Sequence, residues 1–326
     1  MSNDMSNARV LVTGGTGYLA SYVIGEALAR GYRVRTTVRN AAKEAEAQRR
    51  AGDGPLEVVV ADLTSDDGWD AAMAGCDFVL HVASPFPPAR PDDPDELIVP
   101  ARDGTLRVLR AARDAGVRRA VMTSSFGAIG YGHDPAGRVF TEDDWTDPQA
   151  PGVEPYVQSK TYAERAAWDF IEREGNDTEL VVLNPTGIFG PILGPDYSAS
   201  INLIQAMLTG GMPQVPGIWV TPIDVRDLAD LHLRAMISPQ AAGHRFIAAS
   251  DDLMSLPQVA ELLRRHLGPA AAKVSTVTAA ANAGVVRRVS NHAARTTFDW
   301  SPRPAEDTFL DTARSLLALD QPASCG

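Results

Sequence analysis

Two side chains with complementary acid–base chemistry lie four positions apart in the segment Tyr156-Val157-Gln158-Ser159-Lys160. The apolar spacing predicts a helix over Tyr156–Glu172, which would place Tyr156 and Lys160 one turn apart on the same face. An unperturbed tyrosine has a pKa of about 10, and a neighbouring ammonium group favours its phenolate. The pair could therefore exchange a proton with a substrate oxygen near neutral pH, although an exposed pair without function would show the same spacing.

Two serines follow an apolar run that predicts a strand over Arg119–Ser124. Because a doubly wound sheet binds ligands at the carboxyl ends of its strands, we expect Ser125 to lie beside Tyr156 and to polarise a carbonyl group. Ser124 is the weaker candidate for this role. The six His residues show no metal-ligand spacing, so no metal is expected, and His81 is interpreted as a strand residue with satisfied hydrogen bonds.

A glycine-rich segment, Gly14-Gly15-Thr16-Gly17-Tyr18-Leu19-Ala20, separates the predicted strand Arg9–Thr13 from the predicted helix Tyr18–Arg30. Glycine at such a turn lets the backbone approach a pyrophosphate that lies on the helix N-terminus. A turn that needs positive φ would show the same residues, but the strand before it and the helix after it favour a dinucleotide site. The candidate contacts are Gly14, Thr16, Gly17, Tyr18 and Leu19.

Arg39 follows the second predicted strand, Tyr32–Val38, at the position where proteins that prefer NAD carry a carboxylate. A guanidinium group there can bind a 2′-phosphate through two hydrogen bonds, which favours NADP(H). Lys43 could add a second positive charge, and the alternative for both residues is solvated surface charge. Asp62 and Leu63, after the third predicted strand, are candidate contacts to adenine, and the alternative role of Asp62 is a helix cap.

Short β-branched apolar runs alternate with segments of helical periodicity, which favours a parallel sheet covered by helices on both faces. We therefore expect an α/β fold, a doubly wound parallel (Rossmann) sheet of about seven strands with a smaller C-terminal substrate lobe. The dinucleotide-binding domain is expected over residues 1–185, with 223–250 returning to it, and the substrate lobe over 186–222 and 251–326. The other predicted strands are Leu56–Val60, Asp77–Val82, Glu179–Asn184 and Arg245–Ala248, with a strand-like run at Lys273–Thr278. The other predicted helices are Gly104–Ala115, Ala199–Leu208, Pro257–Leu267 and Glu306–Leu317.

The composition narrows the function classes. The 326 residues carry 30 basic and 41 acidic side chains, a formal net charge of −11, which argues against a non-specific binder of nucleic acid or of anionic membranes. Only two cysteines are present, Cys76 and Cys325, so neither a disulfide framework nor a cysteine metal site is expected. The polar first residues do not resemble a signal peptide, and no apolar run approaches a membrane span. These features predict a cytoplasmic protein.

Taken together, these segments resemble the extended short-chain dehydrogenase/reductase family. The shared segments are 13–19, 62–63, 81–85, 104–105, 124–125, 156–160, 184–185 and 224–227, and segments 36–39 and 81–86 are most similar to the dihydroflavonol reductase, cinnamoyl-CoA reductase and aldehyde/ketone reductase branch. The resemblance implies NADPH/NADP+ as cofactor, with further contacts from Val82, Ala83, Ser84, Thr123, Tyr156, Lys160, Pro185, Thr186, Gly187 and Ile188. It also implies that hydride passes from the nicotinamide to a carbonyl carbon while Tyr156 donates the proton, and that Lys160 lowers the pKa of Tyr156 and holds the nicotinamide ribose.

The expected substrate is a small hydrophobic molecule. Residues 186–225 contain no Lys, Arg or His, and about half of their apolar side chains are expected to reach the pocket. The candidate substrate contacts are Phe86, Ser125, Phe126, Tyr131, Tyr156 and Trp219, with Ile129 beside them. An apolar lining cannot desolvate a pyrophosphate, so it favours aryl or alkyl ketones and aldehydes.

Two alternatives to the carbonyl reductase remain open at the level of sequence. The first is an NAD(P)-dependent sugar-nucleotide epimerase or dehydratase, because the basic tail residues Arg287, Arg288 or Arg295 could reach a phosphate. The second is a non-catalytic dinucleotide-binding sensor, which would have no need of Ser125 and Tyr156. In each case the chain is expected to act as a monomer or a homodimer.

Overall fold

The computed structural model describes residues 8–52, 54–85, 91–194, 198–279 and 285–319. The described strands are β1 Arg9–Val12, β2 Arg33–Val38, β3 Leu56–Val60, β4 Phe78–His81, β5 Arg119–Thr123, β6 Val139–Phe140, β7 Glu179–Pro185, β8 Gly187–Phe189, β9 Trp219–Val220, β10 Pro222–Asp224, β11 Arg245–Ala248, β12 Met254–Ser255 and β13 Arg288–Val289. Seven of them form one parallel sheet in the order β11-β7-β5-β4-β1-β2-β3. The predicted doubly wound sheet is confirmed.

The described helices cover both faces of this sheet and build the C-terminal part of the chain. They are α1 Tyr18–Ala29, α2 Glu44–Ala51, α3 Trp69–Met73, α4 Asp95–Asp114, α5 Pro155–Glu174, α6 Ala199–Thr209, α7 Val225–Ile237, α8 Leu256–Leu267, α9 His292–Phe298 and α10 Ala305–Leu319. None of these helices is long and apolar enough to cross a membrane.

Alternation along the central strands explains why both faces of the sheet are buried. In β1, Val10 and Val12 belong to an apolar cluster that includes residues of α1 and α7, whereas Leu11 belongs to a second cluster with residues of α4 and α5. All three side chains are fully buried. A strand with two buried faces must be apolar at every position, which is the pattern that the sequence shows.

Strand β1 lies between β4 and β2, so the chain adds β2 and β3 on one side of β1 and then adds β4, β5, β7 and β11 on the other side. The carboxyl ends of β1 and β4 therefore adjoin, and the Thr13 N–H donates to the Leu80 carbonyl across 3.1 Å. Ligands of doubly wound folds bind at such a switch point. The fold thus brings the glycine-rich turn after β1 next to the loop after β4.

A third apolar cluster lies outside the sheet. It combines buried residues of α6, α8 and α10 with Phe189 and Val215, and the rings of Phe189 and Phe309 pack edge to face with centroids 4.9 Å apart. Helix α9 and Trp300 pack instead in the cluster that contains α1. The division of the chain into two domains at the stated boundaries stays a prediction.

Two predicted elements differ from the structure. Helix α4 begins at Asp95, nine residues before the predicted start, because Leu97, Ile98 and Ala101 extend its buried stripe past Pro100. The run Lys273–Thr278 is not a strand; Thr278 forms only an isolated bridge with Val215. In that run the Ser275 hydroxyl donates to the Pro213 carbonyl and accepts from the Val277 N–H, so side-chain bonds take the place of strand pairing there.

Candidate active site

Helix α5 positions the proposed acid–base pair. Glu154 is its N-cap residue and Pro155 its first residue, so Tyr156 falls in the first turn. The Lys160 ammonium nitrogen lies 5.7 Å from the centroid of the Tyr156 ring. The predicted placement of both side chains on one helical face is therefore found.

The Lys160 ammonium group is buried and donates a hydrogen bond to the Ser84 hydroxyl across 2.9 Å. Burial lowers the pKa of Lys160 to about 8, and the carboxylate of Glu164, one helical turn further on, works against this fall. Lys160 is thus still mostly charged at neutral pH, and it connects α5 to the loop that follows β4.

The hydroxyls of Tyr156 and Ser125 are hydrogen-bonded to each other. Burial raises the pKa of Tyr156, the bond with Ser125 opposes this rise, and Tyr131 adds to it. The expected net lowering of this pKa is therefore not found, because desolvation of the phenol outweighs the attraction of a phenolate to the Lys160 ammonium group over the face of the ring. Tyr156 is protonated at neutral pH, which is the form that can donate a proton.

Ser125 lies two residues after the end of β5 in extended conformation, where its side-chain oxygen accepts the Gly127 N–H across 3.0 Å. Its carbonyl accepts a hydrogen bond of 3.1 Å from the Asn184 side-chain amide at the end of β7. Asn184 of the neighbouring strand β7 thus fixes the backbone of Ser125, and the turn that contains Gly127 fixes its side chain. Ser124 is buried and donates to the carboxylate of Glu164, so its hydroxyl belongs to another network and does not face Tyr156.

The turn between β1 and α1 forms a cradle that only glycine can line. Gly14 has φ +77°, a left-handed conformation, and a Cβ at Gly15 would lie 2.4 Å from Thr36 Oγ1. Gly17 is the N-cap of α1 and offers no side chain, so the N-terminal end of this helix is open to an anion. These features fit the pyrophosphate of a dinucleotide.

Thr13 ties this turn to the loop after β4. Its hydroxyl oxygen accepts from the Val82 N–H (3.1 Å) and the Ala83 N–H (2.9 Å), and the hydroxyl is within 3.0 Å of His81 Nδ1. Burial, with the charge of Lys160 as a second cause, lowers the pKa of His81 to about 3. His81 is therefore neutral, and it is a buried strand residue with a hydrogen-bonded ring, as the sequence analysis expected.

Positive side chains flank the carboxyl end of β2. Arg39 is exposed and forms no ion pair with any described residue. Lys43 is paired with Glu46 across 2.7 Å. Asp62 accepts hydrogen bonds from the Thr64 N–H and hydroxyl (2.8 and 2.7 Å); burial acts to raise the pKa of Asp62, but these bonds and the charge of Arg39 give a net lowering.

The chain matches the model of the family described as NAD dependent epimerase/dehydratase over residues 10–249. It belongs to that family. Cinnamoyl-CoA reductase 1 of Arabidopsis thaliana is 37% identical over 74% of this chain and 70% of its own length. An anthocyanidin reductase of Vitis vinifera is 34% identical over 78% of this chain and 80% of its own length. The resemblance to the reductase branch of the extended short-chain dehydrogenase/reductases is confirmed, and the chain is an oxidoreductase.

A solved structure extends the similarity of fold to nearly the whole chain. The yeast methylglyoxal/isovaleraldehyde reductase Gre2, complexed with NADPH, superposes with a TM-score of 0.85 and covers 96% of this chain and 99% of its own, at 24% sequence identity. This likeness includes the segments after residue 249, which the family model does not match.

The side chains of several predicted contact residues are engaged in packing or hydrogen bonds within the fold, and their roles as contacts stay predictions. Phe126 and Ile129 are buried in a fourth apolar cluster with Phe140. The Thr123 hydroxyl is within 2.7 Å of His232 Nε2, inside the fold. Leu19 is buried in the cluster around α1, and Leu63 packs against α4, where a Cβ at Gly104 would lie 3.0 Å from it.

The apolar segment after β7 divides into core and surface. Phe189, Ile192, Ile204 and Met207 are buried, whereas Leu193, Ile218 and Trp219 are exposed. Pro185 ends β7, Gly187 and Ile188 belong to β8, and the Thr186 N–H between them donates to the Ala248 carbonyl across 3.1 Å. Phe86 and Tyr197 lie outside the described residues.

The sequence analysis missed a buried polar network behind the candidate catalytic side chains. Glu164 is fully buried; its carboxylate accepts from Ser124 and from the Asn184 amide (2.7 Å), and it is 2.7 Å from Arg245. The guanidinium of Arg245 lies 3.8 Å from the centroid of the Trp145 ring. Of this network, only Glu164 could have been predicted from the sequence, because it follows Lys160 by four residues on the same helical face.

Arg50 of α2 was missed as well. Its side chain donates to the Thr16 carbonyl across 2.6 Å and to the Glu46 carboxylate across 2.6 Å. The glycine-rich turn is thereby held to helix α2. The pairing depends on the packing of α2 against α1, which the local sequence does not encode.

Proposed function

We propose that this protein is an NADPH-dependent carbonyl reductase that converts a hydrophobic aryl or alkyl ketone or aldehyde to the alcohol, reversibly. The observation that carries the proposal is the hydrogen-bonded pair of Ser125 and Tyr156, with Lys160 beside it at the carboxyl end of the sheet. The reductases of Arabidopsis and Vitis named above support the reaction type.

The protonation state of Tyr156 sets the direction of its chemistry. Because burial keeps the phenol protonated, it can donate its proton to the carbonyl oxygen as the substrate is reduced. NADPH, when bound, supplies the hydride. The Ser125 hydroxyl holds the same oxygen, and its own position is fixed by Gly127 and Asn184. In alcohol oxidation the transfer runs backwards: Ser125 holds the hydroxyl oxygen of the alcohol, and the Tyr156 phenolate accepts its proton.

Lys160 supplies a fixed positive charge next to the phenol. After proton donation Tyr156 is a phenolate, and an ammonium group 5.7 Å from its ring stabilises that anion. Lys160 also reaches Ser84 in the loop after β4, where the nicotinamide ribose is expected. A proton can return to Tyr156 from solvent once the alcohol has left.

The choice of NADPH over NADH rests on Arg39. The cradle formed by Gly14, Gly15 and the N-terminus of α1 fits a pyrophosphate, and Arg39 extends from the neighbouring strand with no carboxylate partner among the described residues. A carboxylate at this position would bond the ribose hydroxyls of NAD and repel a 2′-phosphate. A guanidinium group has the opposite preference.

A spectrophotometric assay tests the function. Wild-type protein is mixed with NADPH or NADH and with an aryl ketone, an alkyl aldehyde or a UDP-sugar, and consumption of the reduced cofactor and conversion of each substrate are followed. Reduction of the neutral carbonyls with NADPH is expected. Conversion of the UDP-sugar without activity on any hydrophobic carbonyl would instead support a sugar-nucleotide enzyme.

A further inference from the structure

One arginine of the C-terminal segment lies over an aromatic side chain of the substrate region. The guanidinium carbon of Arg287 is 4.4 Å from the centroid of the Tyr131 ring, and its Nε donates to the Gly130 carbonyl across 3.0 Å. Stacking on a ring and one hydrogen bond to the backbone fix the plane of the guanidinium group.

The backbone around Arg287 is anchored as well. Strand β13 begins at the next residue, Arg288, and pairs with β6, and the Ser290 N–H donates to the Phe140 carbonyl across 2.9 Å. Below the stacked pair, the ring of Phe126 lies with its centroid 6.1 Å from that of Tyr131. Arg287 therefore rests on a packed aromatic platform and not on a free tail.

The charge of Arg287 is not neutralised within the described part of the chain. No carboxylate pairs with it there, and its two terminal nitrogens donate to no described protein acceptor. Two other arginines of the C-terminal segment do have carboxylate partners: Arg295 pairs with Asp251 and Arg303 with Asp227. A half-buried, oriented guanidinium without a counter-ion is suited to bind a carboxylate through two parallel hydrogen bonds.

The platform lies next to the catalytic centre. Tyr131 is close enough to Tyr156 to influence it electrostatically, and the Tyr131 N–H is held by the Thr146 hydroxyl across 3.0 Å. Thr146 in turn donates to the Gly127 carbonyl, in the turn that follows Ser125. The side chain of Tyr131 thus lies between the guanidinium group of Arg287 and the hydroxyl of Tyr156, and hydrogen bonds connect its backbone to the turn after Ser125.

We propose that Arg287 is a specificity-determining residue that binds a carboxylate carried by the substrate a few bonds away from its reacting carbonyl group. The proposal rests on the carbonyl reductase function above and narrows its substrate class from neutral hydrophobic carbonyls to oxo acids with an apolar body. The apolar body contacts the exposed side chains of the substrate region, and the carboxylate pairs with Arg287.

A matched pair of ketones tests the proposal. The wild type and Arg287→Met are assayed with NADPH on 4-oxo-4-phenylbutanoate, on the longer 6-oxo-6-phenylhexanoate and on the methyl ester of each. The wild type should favour at least one acid over its ester. In Arg287→Met the ratio of kcat/KM for that acid to kcat/KM for its ester should fall about ten- to a hundred-fold, the size of a lost charge-assisted pair. Arg287→Lys should give an intermediate ratio, because it keeps the charge and loses the planar fork.

Arg288→Met is the matched control, since Arg288 is the exposed neighbour with the same charge. It should leave the acid-to-ester ratio unchanged. An equal ratio in the wild type and Arg287→Met, or an equal fall in Arg288→Met, overturns the proposal.

A binding measurement separates this proposal from the function on which it rests. Calorimetric titration of 4-phenylbutanoate and of 4-phenylbutanamide into the protein with NADP+ needs no turnover. Suppose that no ketone is reduced, but that the acid binds more tightly than the amide to the wild type and not to Arg287→Met. The proposed reaction then fails and the carboxylate site stands. If ketones are reduced and the acid shows no advantage in either assay, the carboxylate site fails and the reductase stands.

Discussion

The buried carboxylate of Glu164 should control the charge state of Lys160, and Glu164→Gln tests this. Gln keeps the shape of the side chain but removes a negative charge that lies one helical turn from Lys160. At about 6 Å and an effective dielectric constant of about 20, that charge stabilises the ammonium group by about 3 kcal/mol. Loss of the carboxylate also leaves the positive charge of Arg245, now 2.7 Å from a neutral side chain, without its partner.

The expected result is a change in the pH profile of kcat. The pKa of Lys160 is already lowered to about 8, so activity that needs the ammonium group falls as the pH rises through about 8. In Glu164→Gln this alkaline limb should move at least one pH unit towards acid, because each 1.4 kcal/mol corresponds to about one unit. The midpoint of thermal unfolding should fall too, since breaking a buried ion pair costs about 3–5 kcal/mol.

Glu172→Gln is the control, because Glu172 is an exposed carboxylate on the same helix α5. Its pH profile and its unfolding midpoint should match those of the wild type. A Glu164→Gln protein that loses stability but keeps the alkaline limb in place would show that Glu164 is structural only and would refute the coupling to Lys160.

Two further predictions concern the cofactor. Arg39→Asp should shift the ratio of kcat/KM for NADPH to kcat/KM for NADH about ten- to a hundred-fold towards NADH. Arg49→Asp makes the same change of net charge at an exposed position of α2 and should leave the ratio unchanged. A wild type that already prefers NADH would contradict the proposed role of Arg39. Glu46→Gln should release Lys43 from its 2.7 Å ion pair and raise the ratio of NADPH affinity to NADH affinity about two- to five-fold in fluorescence titrations, because the loss of Glu46 as a partner of Arg50 affects both cofactors alike; Glu44→Gln should leave the ratio unchanged, and an unchanged ratio in Glu46→Gln would show that Lys43 does not reach the phosphate.

The sheet was predictable because its strands carry their own signal. Apolar runs such as Val10 to Val12 mark the central strands, and β-branched residues such as those of β2 mark the outer ones, so all seven strands were predicted to within a residue of their ends. The glycine-rich turn was predictable for a related reason: a left-handed Gly14 and a Gly15 packed against Thr36 tolerate no other side chain. Local sequence determines these features.

The features that were missed depend on contacts between distant segments. Glu164 and Arg245 are 81 positions apart in sequence and meet only when the helix and the edge strand are assembled. Phe126 reads as a pocket residue by its position after Ser125, yet it fills the cluster around Phe140. The early start of α4 was missed because Pro100 suggests a break that tertiary packing overrides.

The central claim is that Tyr156 donates the proton while hydride passes from the nicotinamide of NADPH to the carbonyl carbon. Its most direct test uses NADPH deuterated at C4 of the nicotinamide ring, on the transferred face, with a hydrophobic aryl ketone, and detects the product alcohol by mass spectrometry. The wild type should place one deuterium on the alcohol carbon, and Tyr156→Phe should do so at least about a hundred-fold more slowly, with NADPH affinity within a few-fold of the wild type. An unlabelled product, or an equal rate in Tyr156→Phe, would contradict the mechanism.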